Sequence, residues 1–213
     1  QLDPDRVHVV HNGTDTDVYK PVPRTQGHVF GYLARQCYGK GLHLLVDAFI
    51  ACKKSLPDAS LVVVGTKTAA DASYVSAIQQ RLRDAGCEGA VSFHDNVTMD
   101  QKVRQLQTMD VLSVPALYGE SFGLYVIEAL ACGVPVVAPK HGAFPELAIE
   151  TGGVALFDQS IDGDYERVLI DVLNGHGASL AAVGRASVVQ RFSTQSMAAG
   201  VVAAFDSQMK KAV

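Results

Sequence analysis

Several features that would place a chain in a class at a glance are missing from this one. No stretch approaches the roughly 18 apolar residues of a membrane-crossing helix. No block of like charge occurs either, and Lys+Arg 18 against Asp+Glu 22 leave a formal net charge of −4. That balance excludes a broad nucleic-acid-binding face while leaving room for a local basic pocket. Cys37, Cys52, Cys87 and Cys132 are scattered without a C-x-x-C pair, which points to reduced, partly buried thiols and a cytosolic setting. The dinucleotide fingerprint G-x-G-x-x-G is absent. So are internal repeats, low-complexity tracts and Pro- or Ser-rich linkers. Gly 19 and Pro 8 are ordinary usage, so disordered and fibrous classes fall away. The chain opens Gln-Leu-Asp-Pro-Asp, with neither Met nor a signal-peptide pattern, and a fragment or a processed chain is the expectation.

What remains is a globular sequence of 213 residues, 48% hydrophobic, enough for one domain over residues 1–213 with a proper core. Short apolar runs alternate with segments of helical period. Strands are predicted at Val7–Val10, Val29–Leu33, Ser60–Val64, Val91–Phe93, Val111–Val114 and Val134–Ala138. Helices are predicted at Gly41–Ser55, Tyr74–Ala85, Asp100–Gln107, Gly123–Ala131 and Phe144–Ile149. Past Gly152 the pattern reads as helical throughout, at Asp164–Leu173, Ser179–Gln190 and Thr194–Lys211. The runs Leu61-Val62-Val63-Val64 and Val134-Pro135-Val136-Val137 are continuous, as in strands buried on both faces. The expectation is an α/β fold: a doubly wound, Rossmann-like parallel sheet with helices on both faces. Such sheets bind ligands beyond the carboxyl ends of their strands.

One segment stands out. Tyr118-Gly119-Glu120-Ser121-Phe122-Gly123-Leu124 leads from a strand into a helix that carries Glu128. Backbone N–H groups at that helix start, with the positive end of its dipole, suit a phosphate. Glu128, one turn deeper, could accept hydrogen bonds from sugar hydroxyls, and Glu120 faces what lies beyond the phosphates. The signature points to a nucleotide-sugar site. Arg35 and Lys40 follow Val29–Leu33 and flank a Gly-bounded turn. A fork and a point charge suit a diphosphate, though both also read as solvated loop charges. Gly65, before Thr66, permits close approach of a ligand or of another backbone.

Other candidates have simpler readings. Asp15-Thr16-Asp17 and Asp3-Pro4-Asp5 invite a divalent metal, but Asp15 follows the turn signal Asn12-Gly13 and a turn or cap role is simpler. Asn12-Gly13-Thr14 and Asn96-Val97-Thr98 match the glycosylation pattern, which a cytosolic chain would not use. His141 follows a strand, but no Ser or Cys nucleophile pattern accompanies it.

From Val9 to Phe192 the chain resembles the C-terminal, donor-binding half of family 4 (group 1) retaining glycosyltransferases of the two-domain GT-B fold. His11-Asn12-Gly13-Thr14-Asp15-Thr16-Asp17-Val18-Tyr19 is similar to the family's P-N-G-V-D segment that leads into this half. Arg35 and Lys40 fall on G-R-L-x-x-x-K-G, and Gly142-Ala143-Phe144-Pro145-Glu146 on G-G-x-P-E. Glu120 and Glu128, with the following Ala129-Leu130-Ala131-Cys132-Gly133-Val134-Pro135, match the E-x7-E core. The resemblance implies a transferase that moves a sugar from UDP-, GDP- or ADP-sugar to a saccharide or lipid-linked acceptor, with no cofactor and no metal. Arg35, Lys40 and Glu120 take catalytic roles, the two cations holding the diphosphate. Ser121, Phe122, Gly123 and Leu124 complete the phosphate cradle, Glu128 binds ribose, and Thr66 and Val97 lie near the base.

An acceptor-binding half would precede this one, and the helix region from about 192 to 213 would cross towards it. Without that half the chain would bind donor without useful transfer, and Val201, Val202 and Phe205 would be left exposed. The full protein is expected in the cytoplasm or peripherally at the inner membrane face. Departures are Ala34, Gln36, His11, Asp95 and Ala143, of which Asp95 bears on the base pocket. A stand-alone nucleotide-sugar binding module, a nucleotide-sugar epimerase and a phosphorylase are the competing expectations.

Overall fold

The computed structural model describes residues 7–23 and 27–211. Asp3 and Asp5 lie outside them. Six parallel strands form one sheet: β1 Val29–Leu33, β2 Ser60–Gly65, β3 Val91–Asp95, β4 Val111–Ser113, β5 Val136–Pro139 and β6 Val154–Phe157. Their spatial order is β3-β2-β1-β4-β5-β6. The connecting helices are α1 Leu42–Cys52, α2 Ala72–Asp84, α3 Met99–Leu106, α4 Leu124–Ala131 and α5 Phe144–Thr151. After β6 come α6 Asp164–Asp171, α7 Gly177–Arg191 and α8 Thr194–Lys211.

Alternation along each strand sends successive side chains to opposite faces. Phe30 and Tyr32 of β1, Leu61 and Val63 of β2, and Val111 of β4 pack with Leu45 and Phe49 of α1, Ile78 of α2 and Leu169 of α6. Leu33, Val64, Leu112 and Val136 face the other way, onto Leu106 of α3, Ile127 and Leu130 of α4, Leu147 of α5 and Val188 of α7. Both faces are therefore covered, which is why the strands read as unbroken apolar runs.

Two predicted elements differ. Val7–Val10 forms no strand: Val9 is exposed, and this segment runs beside α8, where Val10 meets Gly200. The sheet edges are β3 and β6, so the segment has no ladder to join; beyond it, Thr14 makes one bridge to Ser193. Conversely, Val154–Phe157 is a strand, paired in parallel with β5 from Val136↔Val154 to Pro139↔Phe157. Between α6 and α7 the backbone breaks at Gly175, whose φ of 142° interrupts a wide turn over Val172–His176.

The strand order reverses between β1 and β4, and a crevice opens there beyond the carboxyl ends of the two strands. The loop after β1 carries Arg35 and Lys40; the loop after β4 carries Glu120. The topology itself delivers these two loops to the same end of the sheet.

Candidate functional site at the switch point of the sheet

Lys40 sits in the single helical turn Tyr38–Lys40 just before α1. Its ammonium donates to Glu120 Oε2 at 2.5 Å and lies 5.0 Å from the Tyr118 ring centre and 5.6 Å from that of Tyr125. Tyr125, on α4, donates its hydroxyl to the same Glu120 oxygen at 3.2 Å. Burial alone would lower the Lys40 pKa, but hydrogen bonds to Glu120 and Tyr118 carry the net shift upward. The ammonium therefore stays charged through neutral pH. Burial, then the Glu120 charge, pushes the Tyr125 phenol up as well, so it remains a neutral donor.

The Glu120 loop is held from behind by the turn after β5. Ala143 donates its N–H to Glu120 O at 2.9 Å. Gly142 has φ of 59°, and a Cβ there would fall 2.6 Å from Glu120 N, so only glycine lets the two backbones meet. Gly123, also left-handed at φ 84°, ends the loop and caps α4 without a side chain. At the start of α4 the N–H groups of Leu124 and Tyr125 have no intrahelical acceptors and lie beside Glu120, while Val126 donates to Gly123 O at 2.9 Å.

Glu128 forms a second cluster. Lys102 of α3 donates to its Oε1 at 2.8 Å, and the Tyr19 hydroxyl donates to that same oxygen at 2.9 Å. The Lys102 ammonium lies 5.1 Å from the Tyr19 ring centre. Lys102 also lines a cavity of about 240 Å³ with Arg35, Thr66, Asn96 and Val97. That cavity lies over the ends of β1 and β2 and past the end of β3, and it gathers two predicted base-site residues, Thr66 and Val97.

Arg35 lines the same cavity, but its guanidinium is turned to Asp71: Nε and Nη2 donate to the two carboxylate oxygens at 3.1 Å each. Thr68 Oγ1 accepts a further bond from Nη2 at 3.3 Å. Hydrogen bonds from Arg35, then from Thr68, hold the Asp71 carboxyl down to about 2. The predicted diphosphate pair is thus split, with Lys40 on Glu120 and Arg35 on Asp71. Ser121 and Phe122 line a different hollow of about 390 Å³ with His11, Glu146 and Phe192. There His11 stacks with Phe122 at 6.3 Å between ring centres.

The backbone, and not an open approach path, accounts for Gly65, since a Cβ there would fall 1.8 Å from Ala34 O. Two departures from the family motif prove to be partners. Gln36 is fully buried and donates Nε2 to Asp95 Oδ1 at 2.6 Å, while Asp95 also pairs with Lys67. The Asp15 side chain accepts from the N–H groups of Asp17 and Val18 at 3.0 and 3.2 Å, a turn role. His141 packs edge-on to Phe144, its buried Nε2 without a hydrogen-bond partner among the described residues. None of the four cysteines forms a disulfide among the described residues, and three are buried. No helix among the described residues is long and apolar enough to cross a membrane. Lys102 and Asp71 escaped the sequence reading, and Tyr19 entered it only as the end of the P-N-G-V-D-like segment: each acts through a partner far along the chain or in the next element.

An open parallel sheet with this strand order and a charged crevice at its switch point defines a Rossmann-like half of the GT-B type. Solved structures that share the fold include the UDP complex of Alr3699/HepE from Anabaena and the C-terminal domain of the group 1 glycosyl transferase LpcC from Francisella tularensis. The first gives a TM-score of 0.83 at 24% identity, covering 93% of this chain and 57% of that one. The second gives 0.76 at 22%, covering 85% of this chain and 100% of that one. In sequence, D-inositol 3-phosphate glycosyltransferase of Mycobacteroides abscessus is 30% identical over 197 residues, 87% of this chain. The chain spans only 43% of that relative's length. The family model for glycosyl transferases group 1 matches residues 15–186. The chain belongs to the group 1 glycosyltransferases.

Proposed function

We propose that this chain is the donor-binding half of a retaining hexosyltransferase that uses a nucleoside-diphosphate sugar. One observation carries the reading. The switch point joins Lys40 to Glu120, with the first turn of α4 beside them and Glu128 one turn deeper. A diphosphate placed there meets the Lys40 ammonium and the N–H groups of α4. As Lys40 turns to the phosphate, Glu120 is released to accept hydrogen bonds from donor-sugar hydroxyls. The Anabaena neighbour is solved with UDP, which makes uridine diphosphate the first nucleotide to try.

In the reaction the bond between the anomeric carbon and the phosphate oxygen breaks, and the electron pair leaves on the diphosphate. The acceptor hydroxyl oxygen bonds the same carbon on the same face, and its proton passes to the departing diphosphate oxygen. Charge developing on the leaving diphosphate meets Lys40 and, once swung off Asp71, Arg35, a preorganised electrostatic role. Because these cations supply the neutralisation, neither metal nor cofactor is part of the proposal. The acceptor is a saccharide or a lipid-linked saccharide held by a second, acceptor-binding half. The exposed Val201, Val202 and Phe205 of α8 suit a face turned towards that half. Alone, this chain binds donor and transfers little. The whole protein works in the cytoplasm or peripherally at the inner membrane face.

Calorimetric titration with UDP, GDP and ADP, then their glucose conjugates, tests the reading. Saturable binding of one nucleotide, lost in Lys40→Ala and Glu128→Ala, is the expected result. Binding that survives both substitutions, or no binding of any nucleotide, overturns it.

A further inference from the structure

The Glu128 cluster holds more than the donor reading uses. Both of its donors, Lys102 Nζ and Tyr19 Oη, converge on Oε1, and no hydrogen bond from a described residue reaches Oε2. A carboxylate that served only as a strut between α3 and α4 would need no second donor from a third element on that oxygen. Tyr19 arrives from 109 positions away along the chain. Its ring is 3% exposed, and its hydroxyl also lies 2.9 Å from Met99 Sδ. The carboxylate is the stronger acceptor of its single proton. Burial, then the Glu128 charge, pushes the Tyr19 phenol well above its usual range, so it stays protonated and donating through neutral pH. Lys102 and Glu128 keep side-chain exposures of only 22% and 15%, and a pair so covered holds its geometry better than a surface pair. Lys102 also borders the cavity that gathers Thr66 and Val97, which places Glu128 between the base cavity and the phosphate end of α4.

Resting on the donor-site reading above, we infer that Lys102 and Tyr19 are positioning residues for the ribose. They clamp one oxygen of Glu128, present the other to the ribose diol, and so set the preference for a ribonucleotide over its 2′-deoxy counterpart. Lys102 falls outside the motifs that mark the family resemblance, and Tyr19 ends the segment similar to P-N-G-V-D without a role assigned there. A hydroxyl donating to a charged acceptor discriminates by on the order of tenfold or more when it is lost, and only if the acceptor is aimed.

The test is calorimetric titration with UDP, GDP and ADP, each beside its 2′-deoxy form. The unaltered chain is compared with Lys102→Met, Lys102→Arg, Tyr19→Phe, Glu128→Gln and the double variant Lys102→Met/Glu128→Gln, with thermal melting to establish that each is folded. Tyr19→Phe keeps the buried ring and serves where Lys102→Met unfolds. The unaltered chain should favour the ribonucleotide by about tenfold or more. Lys102→Met and Tyr19→Phe should each collapse that ratio towards one, Lys102→Arg should restore most of it, and Lys102→Met should change it no further once Glu128 is Gln. Equal loss for both sugars in Lys102→Met, with the ratio intact, would overturn the inference while leaving the donor site standing. A ratio unchanged in Glu128→Gln would also overturn it. Failure of the unaltered chain to bind any nucleotide would overturn the donor reading itself.

Discussion

The crevice contains two clusters built alike: a glutamate, a lysine and a tyrosine, with both donors on a single carboxylate oxygen. Around Glu120 they are Lys40 and Tyr125; around Glu128 they are Lys102 and Tyr19. The difference lies in where the parts come from. Glu120 sits on a loop, its tyrosine is five residues on, and its lysine crosses the switch point from the loop after β1. Glu128 sits on a helix, and its donors come from α3 and from the segment ahead of β1. A loop carboxylate held by a mobile-stemmed lysine can exchange partners when a diphosphate arrives. A helical carboxylate clamped from two sides is built to stay. One cluster is suited to chemistry, the other to recognition.

Breaking the first cluster should have the largest effect. Lys40→Met leaves Glu120 as a largely buried charge without its cation, since the pair's side chains are only 17% and 13% exposed. A loss of about 3 kcal/mol of stability by denaturant unfolding is expected, with nucleotide affinity down on the order of a hundredfold. The base side of the crevice gives a smaller change. Asp95→Gly removes the carboxylate that accepts from buried Gln36, so about 1–2 kcal/mol of stability should go. Adding Gln36→Leu should return most of it, and a double-mutant cycle measures the coupling.

A cation outside both clusters sharpens the contrast. Asp71→Asn weakens the hold on Arg35, and calorimetry should show nucleotide binding about threefold tighter as that guanidinium becomes available. The pH dependence of the latch follows from its sign. Asp71, held down to about 2 by Arg35 and Thr68, has a folded pKa below its ordinary value near 4. Its contribution to stability is therefore present above pH about 4 and is lost as pH falls through about 2. Unfolding of Asp71→Asn beside the unaltered chain should show the full stability difference above pH about 4, and that difference should shrink away as pH falls through about 2.

The contrast between the clusters also marks how far the sequence could be read. β1, β2, β4 and β5 announce themselves because strands covered on both faces are apolar along most of their length, while the edge strand β3 shows instead the alternation Val91, Phe93. Val154-Ala155-Leu156-Phe157 is four residues long and stands next to two glycines, too short for periodicity to separate strand from helix. Val7–Val10 carries a strand's residues but has no sheet edge within reach. Lys40 and Glu120 are legible because each lies in a loop whose glycines and flanking strand mark it. Lys102 looks like any lysine on an amphipathic helix, and Tyr19 like any core aromatic. Their partnership exists only once α3, α4 and the leading segment are docked, and no local pattern encodes docking. The same holds for Gln36 and Asp95, two isolated departures in the sequence and one hydrogen bond in the fold.

The most direct measurement of the exchange at the switch point is titration of the Glu120→Gln protein with UDP and with UDP-glucose. If the diphosphate takes Lys40 from Glu120, removing that carboxylate's charge should leave UDP binding as tight or tighter, while the extra affinity that glucose adds is lost. A Glu120→Gln protein that binds UDP as poorly as Lys40→Ala does, or that keeps the full increment from glucose, would contradict the account.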